Sequence, residues 1–149
     1  RSVCAIANGG YLVSPKIVKE IKMSDDASNI TSLEDNKRVF SQETADIVKD
    51  MMLAVVEDGT GKQAQIEGVK VCGKTGTAQK ANKNSPGYDE GRVVTSFIGF
   101  APYENPKIAA VVIIDEPVGK YNTIWGGTVA APIFSELVAF SLNKLRYID

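Results

Sequence analysis

Gly73-Lys74-Thr75-Gly76-Thr77 is the stretch of this 149-residue chain whose residue types could do chemistry. The chain has no histidine. That removes the commonest general base, the Ser-His-Asp and Cys-His nucleophile systems, and nearly all zinc-enzyme sites. Any reaction must run on Lys, Ser, Thr, Tyr, carboxylates or backbone groups, and no metal or cofactor is expected. Read as a pattern, Gly68-Val69-Lys70-Val71-Cys72-Gly73-Lys74-Thr75 fits G-x-x-x-x-G-K-[ST], the phosphate-cradling loop of nucleotidases. Val111-Val112-Ile113-Ile114-Asp115-Glu116 also looks like the apolar strand with an acidic end that such enzymes use for Mg²⁺.

The physics opposes a nucleotide site. A phosphate loop needs a strand before its first glycine and a helix opening at the Lys-Ser/Thr, whose N-terminal N–H groups bind the phosphate. Here Gln65-Ile66-Glu67 precedes Gly68 and makes a poor buried strand. The spacer Val69-Lys70-Val71-Cys72 alternates like a strand, and Gly76 and Thr77 are poor helix formers.

Lys74-Thr75-Gly76 is also the K-T-G of penicillin-binding proteins and class A β-lactamases, where it accompanies S-x-x-K and a second serine motif. The surroundings extend the match. Ala5-Ile6-Ala7-Asn8-Gly9-Gly10, Asp58-Gly59-Thr60-Gly61, Gly73 to Gln79, Thr95 to Pro102, and Gly126-Gly127 followed by Ala130-Ala131-Pro132-Ile133-Phe134 occur in order along the chain. Together they resemble the class B penicillin-binding proteins, nearest to division and sporulation transpeptidases of Gram-positive type. The resemblance implies residues 1–149 as the C-terminal portion of one transpeptidase domain. In that family a serine attacks the D-Ala-D-Ala end of a peptidoglycan stem peptide, and β-lactams acylate the same serine. Lys74 then matches the motif lysine, with its ammonium beside the substrate carboxylate and the nucleophile. Thr75 and Thr77 match the hydroxyl donors to that carboxylate, and the Thr77 N–H is the implied oxyanion donor. Gly76 leaves room beside the nucleophile, so the strand edge can pair with an extended peptide. The implied partners are stem peptides, β-lactams and other cell-wall synthesis proteins. The implied location is the extracytoplasmic face of the membrane, through an upstream anchor.

The nucleophile is missing from this pattern. Ser141-Leu142-Asn143-Lys144 fits S-x-x-K and Ser141-Leu142-Asn143 fits S-x-N, but one serine cannot serve both, and the family places both before K-T-G. The match reads as chance on a surface turn, as does Tyr103-Glu104-Asn105 in a hairpin turn. The expectation is a D,D-transpeptidase fragment that lacks its serine. The alternatives are a non-enzymatic penicillin-binding-like sensing or interaction module and, disfavoured above, a nucleotidase. Trp125 reads as a packing residue, and Asp115 and Glu116 as a strand end.

The elements that must position Lys74 follow from periodicity. Residues 1–8 read as helix, stopped by Asn8-Gly9-Gly10. Tyr11 to Ile21 reads as an edge-like extended segment containing Pro15, and Lys22 to Lys37 as a polar surface excursion. Ser41 caps a helix over roughly 42–57, with Glu43 in its first turn and Ile47, Val48, Met51, Met52, Val55 and Val56 at helical spacing. Gly59-Thr60-Gly61 is a flexible connector. Strands follow from near Val69, over Val93 to Phe100, and over Lys107 to Ile114. A polar loop of about 13 residues, Gln79 to Gly91, lies between the first two. The second and third are too close for a parallel crossover, so they form an antiparallel hairpin. A final helix follows Trp125-Gly126-Gly127, capped by Thr128, with Ile133, Phe134, Leu137, Val138, Phe140 and Leu145 on its apolar side. The fold class is α+β, an antiparallel sheet with covering helices, as a partial penicillin-binding or serine β-lactamase-like transpeptidase fold.

Composition sets the outer bounds. With 44% hydrophobic and 23% charged residues the chain can bury a core, and a formal net charge of −1 argues against nucleic-acid binding. Cys4 and Cys72 are expected free and partly buried. The longest apolar run, Ile108 to Ile114, falls far short of the ~20 residues of a spanning helix. The three strands leave an uncovered edge that calls for a partner segment or another copy.

Overall fold

A computed structural model of the chain describes residues 1–17, 20–22, 28–30, 37–119 and 123–147. The expected polar excursion from Lys22 to Lys37 lies mostly outside the described residues. Its described parts are Lys22, which ends the short strand β1 (Glu20–Lys22), the strand β2 (Ser28–Ile30), which pairs antiparallel with β1, and Lys37. α1 spans Ser2–Ala7 and ends at Gly9 and Gly10, both at positive φ. The Tyr11–Ile21 segment is tied to the fold near its start: Tyr11 bridges to Arg38, whose guanidinium lies over the Tyr11 ring, the Leu12 N–H donates to the Lys37 carbonyl at 2.9 Å, and Arg1 Nε donates to the Val13 carbonyl at 3.0 Å.

α2 (Gln42–Glu57) begins where the sequence places it. The Ser41 hydroxyl accepts the Thr44 N–H at 3.1 Å, and Glu43 sits in the first turn. A 3₁₀ turn, Lys62–Ala64, leads towards the main sheet. That sheet is antiparallel and three-stranded, ordered β3 (Cys72–Ala81), β4 (Tyr88–Ala101) and β5 (Ile108–Asp115). The α+β arrangement of an antiparallel sheet with helices is therefore the one found.

Alternation assigns each strand residue a face. Thr75, Thr77, Thr95, Phe97, Ala110 and Val112 share one face by register. α3 (Ala131–Lys144) packs on it. Phe97, Phe134, Val138 and Leu142 are fully buried there, and the Phe97 and Phe134 rings tilt at 55° with centroids 4.8 Å apart. Lys74, Gly76, Ser96, Ile98, Val111 and Ile113 share the other face. Among the described residues, α1 and α2 cover its Cys72–Phe100 end, through Met52, Val3 and Ile6.

Several expectations change. The first strand starts at Cys72, not near Val69. Before it, Val69 bridges only to Ile66, and the Lys70 carbonyl accepts the Tyr103 N–H. The loop from Gln79 to Gly91 is mostly strand. Ala81 pairs with Tyr88 past a bulge, so only residues 82–87 connect β3 to β4. Hairpin pairing satisfies backbone groups that polarity alone assigned to a loop. Thr128 does not cap α3. It lies inside a π-helical turn, Gly126–Ala130, and its hydroxyl accepts the Trp125 N–H at 3.1 Å. The apolar residues of α3 form two stripes rather than one: Phe134, Val138 and Leu142 are buried, while Ile133, Leu137 and Phe140 are exposed. Both cysteines are free, Cys4 half-buried and Cys72 buried, and burial pushes the Cys72 thiol up to about 12.

Candidate functional site

β3 has β4 on one side only and is an edge strand among the described residues. Lys74, Thr75, Gly76 and Thr77 all lie within it, paired with Ile98, Phe97, Ser96 and Thr95. No helix opens at Lys74-Thr75, which is extended strand, so the geometry a phosphate loop requires is not there. Gly73 is glycine because a Cβ would come within 2.2 Å of the buried Phe97 ring, whereas a Cβ on Gly76 would meet only the Ser96 hydroxyl, at 2.5 Å, which can rotate away.

The polar groups at this edge form a connected set. Lys74 Nζ donates to the Thr75 carbonyl at 3.0 Å and to Thr75 Oγ1 at 3.4 Å. Thr75 Oγ1 and Thr60 Oγ1 are 3.0 Å apart. The Gly126 N–H donates to Thr77 Oγ1 at 3.0 Å. One ammonium and two hydroxyls thus line an open strand edge, an arrangement able to bind a carboxylate. Among the described residues no group of three or more His, Cys, Asp or Glu side chains could hold a metal.

Other singled-out residues lie elsewhere. Ser141 is inside α3, not on a turn, and its hydroxyl donates to the Leu137 carbonyl at 2.7 Å, while Lys144 lies over the Phe140 ring. Tyr103, in the β4–β5 turn as expected, donates to Asp50 Oδ1 at 2.6 Å. Asp115 ends β5, and with Glu116 it holds Lys80 at 2.6 and 2.7 Å; these bonds raise the lysine's pKa. Trp125, expected to pack near the last helix, is 55% exposed and, with Thr77, Gln79, Tyr88 and Ile124, lines a cavity of about 480 Å³ over the β3–β4 hairpin.

Sequence reasoning missed Thr60 and gave Gly126 no role of its own. Thr60 sits in the supposedly flexible connector, yet Gly61 there is buried and donates its N–H to the Val55 carbonyl. The glycine spacing around both was the available signal.

The chain matches the penicillin binding protein transpeptidase domain over residues 1–139. Stage V sporulation protein D of Bacillus subtilis (strain 168) is 40% identical over 148 residues, covering 97% of this chain and 22% of that protein. The probable peptidoglycan D,D-transpeptidase PenA of Neisseria flavescens is 43% identical over 110 residues, covering 73% of this chain and 26% of that one. The chain therefore spans about a quarter or less of these relatives. Among solved structures, apo penicillin-binding protein 3 of Mycobacterium tuberculosis superposes with a TM-score of 0.81 at 31% identity, covering 95% of this chain and 33% of that one. The same protein has been solved complexed with ampicillin, with the same overlap. With nearly its whole length inside the domain match, the chain belongs to the penicillin-binding protein transpeptidase family, as part of the transpeptidase domain of a class B penicillin-binding protein.

Proposed function

We propose that this chain is the strand-edge wall of a serine-type D,D-transpeptidase site whose nucleophile lies on sequence outside residues 1–149. The supporting observation is the edge position of β3 among the described residues, with Lys74, Thr75 and Thr77 along that edge beside a half-buried sheet face. The substrate is the D-Ala-D-Ala end of a peptidoglycan stem peptide, and β-lactams are its mimics. The peptide pairs with β3 as an added strand. Thr75 and Thr77 hydroxyls hold its terminal carboxylate, and Lys74 supplies positive charge beside it. The Thr77 N–H stabilises the oxyanion of the tetrahedral intermediate. Gly76, without a side chain, leaves room for the serine. The open face, with Ile98, Val111 and Ile113, receives the upstream part of the domain that carries the serine motifs.

Function in sporulation or division, alongside other cell-wall synthesis proteins and on the outer side of the membrane, follows from this reading. The relatives' names support it.

A fluorescent penicillin tests the proposal. Residues 1–149 alone should form no covalent adduct. The complete protein should form one on a serine upstream of Arg1, and its Lys74→Ala variant should react at least ~100-fold more slowly. A stoichiometric adduct on Ser141, or no adduct with the complete protein, would overturn it; the second outcome would favour the sensing module.

A further inference from the structure

The threonine hydroxyls at the β3 edge are held from behind, and the supports determine what they can bind. A hydroxyl has one proton to donate and two lone pairs to accept with. Thr77 Oγ1 accepts the Gly126 N–H at 3.0 Å, a donor that cannot reverse its role. Thr75 Oγ1 accepts from the Lys74 ammonium at 3.4 Å, another group with no acceptor capacity. Its second neighbour is the Thr60 hydroxyl at 3.0 Å. When Thr60 donates, both lone pairs of Thr75 are engaged and its own proton is directed away from the support.

Two adjacent glycines let these supports approach. A Cβ on Gly126 would lie 2.4 Å from the carbonyl oxygens of both Gly76 and Ser96, so only glycine brings this N–H down onto the strand. A Cβ on Gly127 would lie 2.2 Å from the Thr60 carbonyl and would push the Thr60 turn off the sheet. The turn that carries both glycines is braced in place, with the Thr128 hydroxyl taking the Trp125 N–H.

We propose that Thr60 and Gly126 are positioning residues: each donates to one lone pair of its threonine, Thr75 or Thr77, and so turns both hydroxyl protons towards the ligand, which favours a ligand bearing a free carboxylate. The inference rests on the carboxylate-binding reading above and deepens it. A neutral ester or amide at the same position accepts from both hydroxyls and the ammonium more weakly than a carboxylate does, because charge-assisted bonds are about twice as strong.

The test uses the complete protein and the acylation rates of benzylpenicillin and its methyl ester. Thr60→Val removes the hydroxyl and keeps the shape. It should slow the free acid roughly tenfold, the loss of one supporting hydrogen bond, and change the ester less than about twofold. Thr60→Ser should restore the acid rate to within about threefold. Equal slowing of acid and ester, or no slowing of either, would overturn the positioning role. Thr77→Val is the control for the underlying reading and should abolish the preference for the acid. If it does so while Thr60→Val does not, only the positioning role falls. If it keeps the preference, the carboxylate reading falls and the inference falls with it.

Discussion

The two faces of the β3–β4–β5 sheet are built to different standards. On the face under α3, Val93, Thr95 and Phe97 are buried in succession at alternate positions of β4, and Phe134, Val138 and Leu142 close over part of that face. The Thr95 hydroxyl is the one buried side-chain polar atom without a partner among the described residues. On the opposite face the matching β4 positions, Val94, Ser96 and Ile98, are only half-buried, and Ile113 of β5 is 64% exposed. The difference teaches where rigidity and chemistry are divided. The closed face fixes the strand backbone, and the open face and free edge carry Lys74 and its neighbours. A site assembled from two parts of a chain needs one half to hold its shape before the other arrives.

Truncating the closed face should give the largest effect. Phe97→Ala removes a fully buried ring packed at a tilt against Phe134 and should cost about 3–5 kcal/mol in urea unfolding. Gly126→Ala comes next, because its methyl group must displace backbone rather than side chain. A loss of about 1–3 kcal/mol is expected, since backbone overpacking is not relieved by a rotamer change. Ile113→Ser on the open face should cost under about 0.5 kcal/mol in residues 1–149 alone, the range of an exposed substitution. In the complete protein the same change should cost about 1–2 kcal/mol, because the side chain would there be covered. Equal costs in both settings would mean that nothing packs on this face.

Much of the closed face was legible in the sequence. The alternation of Val93 to Phe100 and of Lys107 to Ile114, with a short turn between, required an antiparallel hairpin, and Ser41 marked the start of α2. The β3–β4 hairpin was not legible, because Gln79 to Gly91 carries no apolar alternation. Its end is held instead by ions, with Lys80 on Asp115 and Glu116, and Arg92 on Asp89. The π-helical turn was hidden for a different reason. Its geometry depends on a tertiary contact, Gly126 against Gly76 and Ser96, which no local propensity encodes. At the site, the K-T-G residues were visible as a motif, whereas Thr60, which reaches Thr75 from 15 residues away, was visible only as part of a glycine-rich connector.

The covered end of the open face offers the smallest effect and a sign that pH can reveal. α2 is tied there by Tyr103, whose hydroxyl donates to Asp50 while Lys49 and Lys70 lie 4.6 and 5.8 Å from its ring centre. The bond to Asp50, burial and the negative charge of Asp50 push the Tyr103 phenol from 10.0 up to about 12. The folded state therefore holds this proton more tightly than the unfolded chain does. Such a group contributes stability that is fully present below pH 10 and lost as pH rises towards 12. Tyr103→Phe should lower the melting temperature by about 1–3 °C at pH 9, as expected for one partly solvated hydrogen bond. The gap between the two proteins should then close between pH 10 and pH 12. No gap at any pH across that window would show that Tyr103 holds α2 by ring packing alone. In that case the tie across the covered end would be apolar, like the contacts of Met52 and Phe100 beside it.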